Sequence, residues 1–586
     1  MPPIRWAQKT VEFALSTSSN KAQPIWHALE RRVLATLAGW PDRYVHLVLV
    51  LLFSAWVIVD VLFLGVTGGL AQSTYDGMVR GRLMAAPHDP RIVIVDIDEA
   101  ALARMAPEFG RWPWPRDTLA TVLDYVESQQ PQAVVWDIVF SDVDRLSPGG
   151  DAAFDEAAKR SAHSHFSVVR LPKANDDKSQ VTQKNLPTLW IQQGSAAQDA
   201  ASAVAMIPPV LPGVAAKPLG YNNGYVDRDG VLRRYRYFER LDDGGILQSL
   251  PMSVVQGVDP STHAFWLTRF QNDNAKADTE HATAQDVLVN WRGKPNNYPR
   301  VNFADVFAAA DGGKPMAELP SFAGKIVIIG ATAPSLHDIH PTPLSATQAG
   351  VESLATGIDN ALHRRVMREL PKWAGALLAI LMCAGIALWS YRRSVSSLAP
   401  AMVALPGILL GVSFISLHTE AAFLDLHLSA ALAVLFLAVL RVWYSLRKRH
   451  WCGELPAEAG PLAVWSWEAS KPWTDDLLDR LMTGLQKSAA HSRLVLLDIS
   501  PADSNLLKWR PFATCLAIVG PATELEHAQQ ALLQAVHPLR VRTRALQHVP
   551  VLDAPSDLQR RISYLALQGW GELQHADSSS NQETTP

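Results

Sequence analysis

Apolar residues run almost unbroken from Tyr44 to Val66, and again in three closely spaced stretches from Trp373 to Tyr444. A bilayer core about 30 Å thick takes about 20 apolar residues as a helix. The pattern therefore predicts four membrane helices, over 44–66, 373–391, 397–417 and 422–443. One precedes and three follow a domain of ordinary globular sequence over 70–370. A polar segment, 1–43, comes first. A smaller domain is read over 455–572, and the Ser-, Asn-, Gln- and Thr-rich tail, 576–586, has the composition of a disordered segment.

Inside the 70–370 region the periodicity changes to that of an α/β fold. Arg91-Ile-Val-Ile-Val-Asp-Ile-Asp98 and Gln132-Ala-Val-Val-Trp-Asp-Ile-Val-Phe140 are β-branched runs of the kind that make strands buried on both faces. Between them Asp117 to Gln129 has helical spacing, with Asp117 as its expected N-cap. Strand, helix and strand in this order predict a βαβ unit with parallel strands. Further strands are read at Val231–Phe238, Val287–Trp291 and Gly324–Gly330, after a turn at Gly224–Gly230, and a closing helix at Val351–Arg365.

Charge orients the spans. Lys21, Arg31, Arg32 and Arg43 precede the first stretch, Arg392 and Arg393 follow the second, and Arg441, Arg447, Lys448 and Arg449 close the fourth. The loop between the third and fourth has no Lys or Arg. Cytoplasmic flanks gather these residues, so the N- and C-termini are expected inside and the 70–370 domain outside. Arg364, Arg365, Arg368 and Lys372 oppose this assignment, but a large translocated domain precedes them and weakens the rule. No small-residue cleavage site follows the first stretch, which reads as an uncleaved anchor. Asp60 lies within it, either as a functional carboxylate or as one that faces headgroups or neighbouring helices.

Composition narrows the chemistry. The net charge is −3 and no basic stripe stands out, so no nucleic acid is expected as a partner. The cysteines are Cys383, Cys452 and Cys515, so the outer domain holds together without disulfides or a cysteine zinc site. No Gly-x-Ser-x-Gly elbow or phosphate loop occurs. His163 and His165 share one face of a short strand without evident partner ligands, and a solvated surface is expected there.

The candidate site is drawn from the strand ends. Asp96, Asp98 and Asp137 fall where parallel strands would terminate, the region where open α/β sheets bind ligands. Asp142, Asp144 and Asp338 stand ready to complete an acidic mouth suited to a hard cation or a polyamine-like ligand. Alternatively one acid caps the next helix, another pairs with Arg111 or Arg116, and the rest are solvated. The turn Arg111-Trp-Pro-Trp-Pro-Arg116 is either a recognition loop of rings and guanidinium groups or a plug on the sheet edge. The candidate ligand contacts are Asp98, Arg111, Trp112, Trp114, Arg116, Asp137, Asp142, Asp338 and Thr342. No catalytic residue, metal ligand or cofactor is assigned.

These motifs carry a resemblance. The strand ending Ile-Asp98, the Gly-Arg-Trp-Pro-Trp-Pro-Arg turn, Val-Val-Trp-Asp-Ile-Val-Phe, Gly-Tyr-Val-Asp-Arg-Asp-Gly-Val-Leu-Arg-Arg, Gly-Lys-Ile-Val-Ile-Ile-Gly-Ala-Thr, and Asp338 with Pro-Thr-Pro resemble, in order, the CHASE type 2 domain. That family comprises extracellular sensory modules of bacterial receptors, set between one leading and three trailing membrane helices. The resemblance implies a multi-pass protein of the bacterial inner membrane. It further implies a periplasmic ligand and a cytoplasmic protein partner, neither identified. Gly65, Gly68, Gly69 and Gly385 leave room for a homodimer through close helix contact.

The family is generally linked to kinases or cyclases, and the region after 455 departs from that pattern. It has no phosphoacceptor helix, no nucleotide lid and no Gly-Gly-Asp/Glu-Glu-Phe run, and Asp498 reads as a strand-end cap. Strands near Leu462–Trp467, Arg493–Asp498, Ala513–Gly520 and Leu539–Leu546, with helices over Asp475–Lys487 and Thr523–Val536, suggest a ferredoxin-like unit. A further helix is read over Ser556–Gly569. A non-catalytic docking module is expected. The chain thus reads as a transmembrane sensor, with a static envelope scaffold as the alternative and a membrane enzyme using the acidic strand ends as a third reading.

Overall fold

The computed structural model describes residues 40–451 apart from 41, 84–86, 146, 148, 193–202, 275–285, 292–296, 366, 392–394 and 419–421. Beyond 451 it describes the strands at 462–468, 493–497, 515–519 and 542–549 and a few positions between 524 and 534. The expectations for 1–39, Asp498, the helices at 475–487 and 556–569, most of the helix at 523–536, and the tail from 576 lie outside these residues. Two units emerge, one of 65–374 with 410–427, the other of 1–64, 375–409 and 428–586.

The first unit is built on a mainly parallel sheet. It opens with α1 (Val66–Arg80), followed by β1 (Ile92–Ile97), α2 (Glu99–Phe109), α3 (Arg116–Ser128), β2 (Ala133–Trp136), α4 (Gly150–Arg160), β3 (Ser164–Arg170), β4 (Met206–Ile207) and β5 (Leu219–Tyr221). Then come α5 (Leu250–Val258), α6 (Pro260–Asn274), β6 (Arg300–Asn302), α7 (Phe303–Ala310), β7 (Ile326–Ala331) and α8 (Gly350–Leu362). The sheet order is β6-β1-β7-β2-β3-β4, with β5 also on β3. All neighbours are parallel except β3 and β4. The predicted β1 and β2 are parallel but not adjacent. β7 lies between them, with Ile328 opposite both Ile94 and Val135.

Alternation of side chains across the central strands explains their unbroken apolar runs. Val93, Val95, Ile97, Val134, Trp136, Val327 and Ile329 enter one core with residues of α2, α3, α4 and α7. Ile92, Ile94, Ala133, Val135, Ile326 and Ile328 enter the other, with α1, α5, α6 and α8. Burial on both faces leaves little room for polar residues until each strand ends.

Several boundaries differ from the sequence reading. The compact unit begins at 65 rather than 70, with α1 as its first element, and α1 buries Tyr75, Met78 and Val79 in the second core. Val231–Phe238 is not one strand. Arg234–Arg236 pairs antiparallel with Asp286–Leu288, and Phe238–Arg240 joins a separate sheet with Ile246–Gln248 and Trp190–Gln192. Asp117 does not cap α3. The helix begins one residue earlier, after Pro115, and the Asp117 carboxylate accepts from Thr118 N in the first turn and from Ser147 Oγ. His165 is buried, not solvated. Its ring contacts Ser253 Oγ at 3.0 Å, and burial pulls its pKa down to about 4.

Among the described residues, four helices are long and apolar enough to cross a membrane: Arg43–Leu64, Lys372–Ser390, Leu398–His418 and His427–Tyr444. The fourth starts five residues later than read from sequence, since Ala422–Phe423 is a short strand that pairs in parallel with Arg368–Glu369. Asp60 sits in a π-helical turn, Asp60–Leu64, and is 1% exposed, so it faces packed protein. After 451 the strands Leu462–Glu468, Arg493–Leu497, Cys515–Val519 and Arg542–Val549 form one antiparallel sheet. In chain order they are arranged second, third, first, fourth.

Candidate functional site

The strand-end acids do not share one mouth, because each is claimed by a different neighbour. Asp98 is the N-cap of α2. Its Oδ1 accepts from Ala101 N at 2.7 Å and from Asn302 Nδ2 at 2.8 Å, which ties α2 to the end of β6. Asp96 points to the opposite face, accepting from Thr332 Oγ1 at 2.6 Å and lying 3.3 Å from Arg300, which also grips Glu352. Burial holds the Asp96 pKa above the usual carboxylate range. Asp142 is exposed, and it is its backbone carbonyl, not its carboxylate, that Arg116 engages.

The proline-rich turn divides into an inner and an outer part. Trp114 is 2% exposed and lies against Phe303 at the start of α7, ring centroids 5.0 Å apart, with Trp112 edge-on to it at 5.0 Å. Arg111 projects into solvent. Arg116 pairs with Asp151 of α4 rather than with a strand-end carboxylate, while its backbone N–H donates to Asp144 at 2.8 Å. Trp114 therefore plugs the core beside the edge strand, and the guanidinium of Arg116 fastens the turn to α4.

Asp137, directly after β2, has a different environment. Its Oδ1 accepts from Asn222 Nδ2 at 2.6 Å, and Asn222 in turn accepts from the Tyr235 hydroxyl at 2.6 Å. Its Oδ2 is shut off from solvent and has no hydrogen-bond partner among the described residues. A carboxylate so placed is costly to ionise. Burial, followed by the negative charge of Asp338, pushes the Asp137 pKa up to about 7 against the hydrogen bond from Asn222. Asp338 reaches His340 Nε2 at 3.5 Å, and that contact raises the His340 pKa. Gly350, at the start of α8, makes room for Asp338: a β-carbon there would stand 2.4 Å from its oxygens. Thr342 closes the loop that follows, bonding Gln348 Oε1 at 3.0 Å and Ser345 O through its backbone N–H at 2.7 Å. Asp137, Asp338 and Thr342 thus belong to one corner of the domain, with Asn222, Tyr235 and His340, which the sequence reading missed. Among the described residues no group of three His, Cys, Asp or Glu is placed to hold a metal ion.

A second constellation lies where α1 packs on the Gly224–Gly230 turn. Arg233, 2% exposed, directs Nε and Nη2 to Asp76 at 2.8 and 2.7 Å, Nη1 to Asp227 at 3.0 Å, and both Nη groups to Asp229 at 2.8 and 2.7 Å. These contacts use all the N–H donors a guanidinium carries. Burial opposes its charge, yet the hydrogen bonds to Asp229, Asp76 and Asp227 hold the Arg233 pKa well above its ordinary value. Arg234 binds Asp227 at 2.8 Å and Glu369 at 2.6 Å. Gln72 of α1 adds a bond to Asp227 at 3.2 Å. Arg82 extends the joint, donating to Asn290, Trp291 O and Leu417 O, and Tyr75 stacks edge-on to Phe423 at 5.1 Å. The alternation of acids and arginines over 227–234 was the available sequence signal, read there as a turn, a strand and a family motif but not as an ion-pair cluster.

A sequence profile described as the CHASE2 domain matches residues 48–389. No curated protein and no solved structure matches the chain.

Proposed function

This chain belongs to the CHASE2 domain family, and from that premise we propose that it is a transmembrane sensor of a bacterial inner membrane. CHASE2 is a family of extracellular sensor domains. In this reading the 65–374 domain faces the periplasm and both termini face the cytoplasm. The region after 455 is a small ferredoxin-like docking module, without catalysis of its own, that presents a face to a cytoplasmic protein. A ligand must bind one state of the outer domain better than the other for any signal to pass. The corner formed by Asp137, Asn222, Asp338 and His340 is the proposed point of entry, since a desolvated carboxyl with an unfilled acceptor responds to a proton or a donor-bearing ligand.

The observation that carries this reading is the common home of three connections. The helix after the first span, the segment before the second, and the described residues 422–427 ahead of the fourth all fall within the 65–374 and 410–427 unit. Alternating spans put those three connections on one side of a bilayer. The strand order of the C-terminal sheet, second, third, first, fourth, supports the ferredoxin-like reading of this region.

The test has two parts. Single cysteines at exposed positions Val143 and Met316 are expected to react with an impermeant thiol reagent in spheroplasts, and one placed after 451 only after lysis. A chimera with a cyclase reporter in place of 455–586 is expected to change its output with envelope conditions. Labelling of 143 and 316 only after lysis would sink the orientation. A constant output under every condition, with a constant set of crosslinked partners, would favour the scaffold reading instead.

A further inference from the structure

The turn that carries Arg233's acids also carries a cation they do not neutralise. Asp227 and Asp229 both bind Arg233, and Asp227 binds Arg234 as well. Arg228, between them, is turned outward and is exposed, and among the described residues no carboxylate pairs with it. Its Nη1 lies 3.9 Å from the position a β-carbon would take on Gly65. Gly65 is the residue immediately after the first span, Arg43–Leu64. Val226, two residues before Arg228, is 48% exposed.

The same turn is fastened to the start of the second span. Arg234, bonded to Asp227, also holds Glu369, three residues before Lys372. Lys372 opens the second span, Lys372–Ser390, and Trp373 beside it is 69% exposed. A tryptophan and a basic residue at the end of a span mark the headgroup level. The chain thus places an unpaired guanidinium, an exposed valine, a lysine and a tryptophan along the ends of two spans.

We propose that Arg228, with Lys372 and Trp373, forms a rim that binds the phosphate of anionic phospholipid headgroups beside the first and second spans. The guanidinium fork fits phosphate oxygens two at a time. The attraction of an anionic leaflet fades within a Debye length, about 8 Å at physiological salt, so only a cation held at the span's exit feels it fully. Arg233 and Arg234 act as positioning residues that keep the flanking acids from competing. This rests on the reading that the first two apolar helices cross a bilayer.

The test uses the full chain in nanodiscs of phosphatidylcholine alone and of phosphatidylcholine mixed with phosphatidylglycerol. Native mass spectrometry reads retained lipid, and hydrogen exchange reads the 224–231 turn. The expected result is selective retention of phosphatidylglycerol and slower exchange of the turn in the mixed discs, both weakened by salt. Arg228→Gln is expected to lower the lipid preference about fivefold, and Arg228→Lys less, with exchange in β1 and β7 unchanged. Equal retention by wild type and Arg228→Gln would overturn the proposal, as would equal protection of the turn in both discs. So would protection in neutral discs on adding inorganic phosphate, which would identify a site for free phosphate. Failure of the chain to enter discs at all would overturn the spanning reading first.

Discussion

Arg233 grips Asp76 with two parallel hydrogen bonds, Nε at 2.8 Å and Nη2 at 2.7 Å, and so binds the helix that follows the first apolar span to a turn 157 residues further along the chain. Arg233 is shut away from solvent, Asp76 nearly so, and the remaining donors are spent on Asp227 and Asp229. A buried arginine surrounded by carboxylates is a joint that either holds completely or fails, since removing the cation leaves several acids facing one another.

Arg233→Gln is therefore expected to cost about 3–5 kcal/mol, the range seen when one partner of a buried pair is removed. The loss should appear as a lower thermal midpoint of the detergent-solubilised chain and as faster hydrogen exchange in Val66–Arg80. An unchanged midpoint together with unchanged exchange in that helix would show that the joint contributes nothing.

Asp137 gives stability a pH dependence of definite sign. Its carboxyl is pushed up to about 7 by burial and by Asp338, above the value near 4 of an unfolded chain. Between those limits the folded form keeps a proton that the unfolded form has released, so this group's contribution falls as pH rises from about 4 to 7 and levels off beyond. His340, held up by Asp338, likewise loses its contribution as pH rises through its raised pKa. Asp137→Asn isolates the first effect. Its midpoint relative to wild type is expected to climb between pH 4 and 7 and then stay flat. A difference that did not vary with pH would refute the assignment.

The cap on α2 offers a smaller test. Asp98→Ala removes the acceptor for Ala101 N and Asn302 Nδ2 and is expected to cost about 1 kcal/mol in chemical denaturation. Asp98→Asn, which can still accept, should recover most of it. A loss of ligand response with no loss of stability would instead return Asp98 to the binding site.

Within the proline-rich turn, two neighbours should behave oppositely. Trp114→Ala empties a buried site against Phe303 and is expected to cost about 3–5 kcal/mol. Arg111→Ala, on an exposed side chain, should fall within about 0.5 kcal/mol of wild type. Equal effects on stability would mean that the division into an inner plug and an outer arginine is wrong.

The spans and central strands were legible because their signals are local. A bilayer demands a length, and a sheet buried on both faces demands an unbroken β-branched run, as in Ile92–Ile97 and Ile326–Ala331. The motif order also identified the family. The site was less legible. Asp98, Asp137, Asp142 and Asp338 look alike in sequence, yet one caps a helix, one is desolvated, one is exposed, and one leans on a histidine. Asn222 and Tyr235 carried no signal, since an amide and a phenol acquire meaning only through what is folded against them.

What the sequence determined by itself was the set of elements that short stretches specify: apolar spans, buried strands, and turns rich in glycine and proline. Hydrophobic length and period are properties of consecutive residues, so no distant partner is needed to read them. The tertiary structure alone decided that β7 separates β1 from β2, that Arg233 closes on Asp76, and that Arg228 is left facing outward. Those outcomes depend on which remote groups compete for the same donor or the same layer, a competition settled only when the chain is folded.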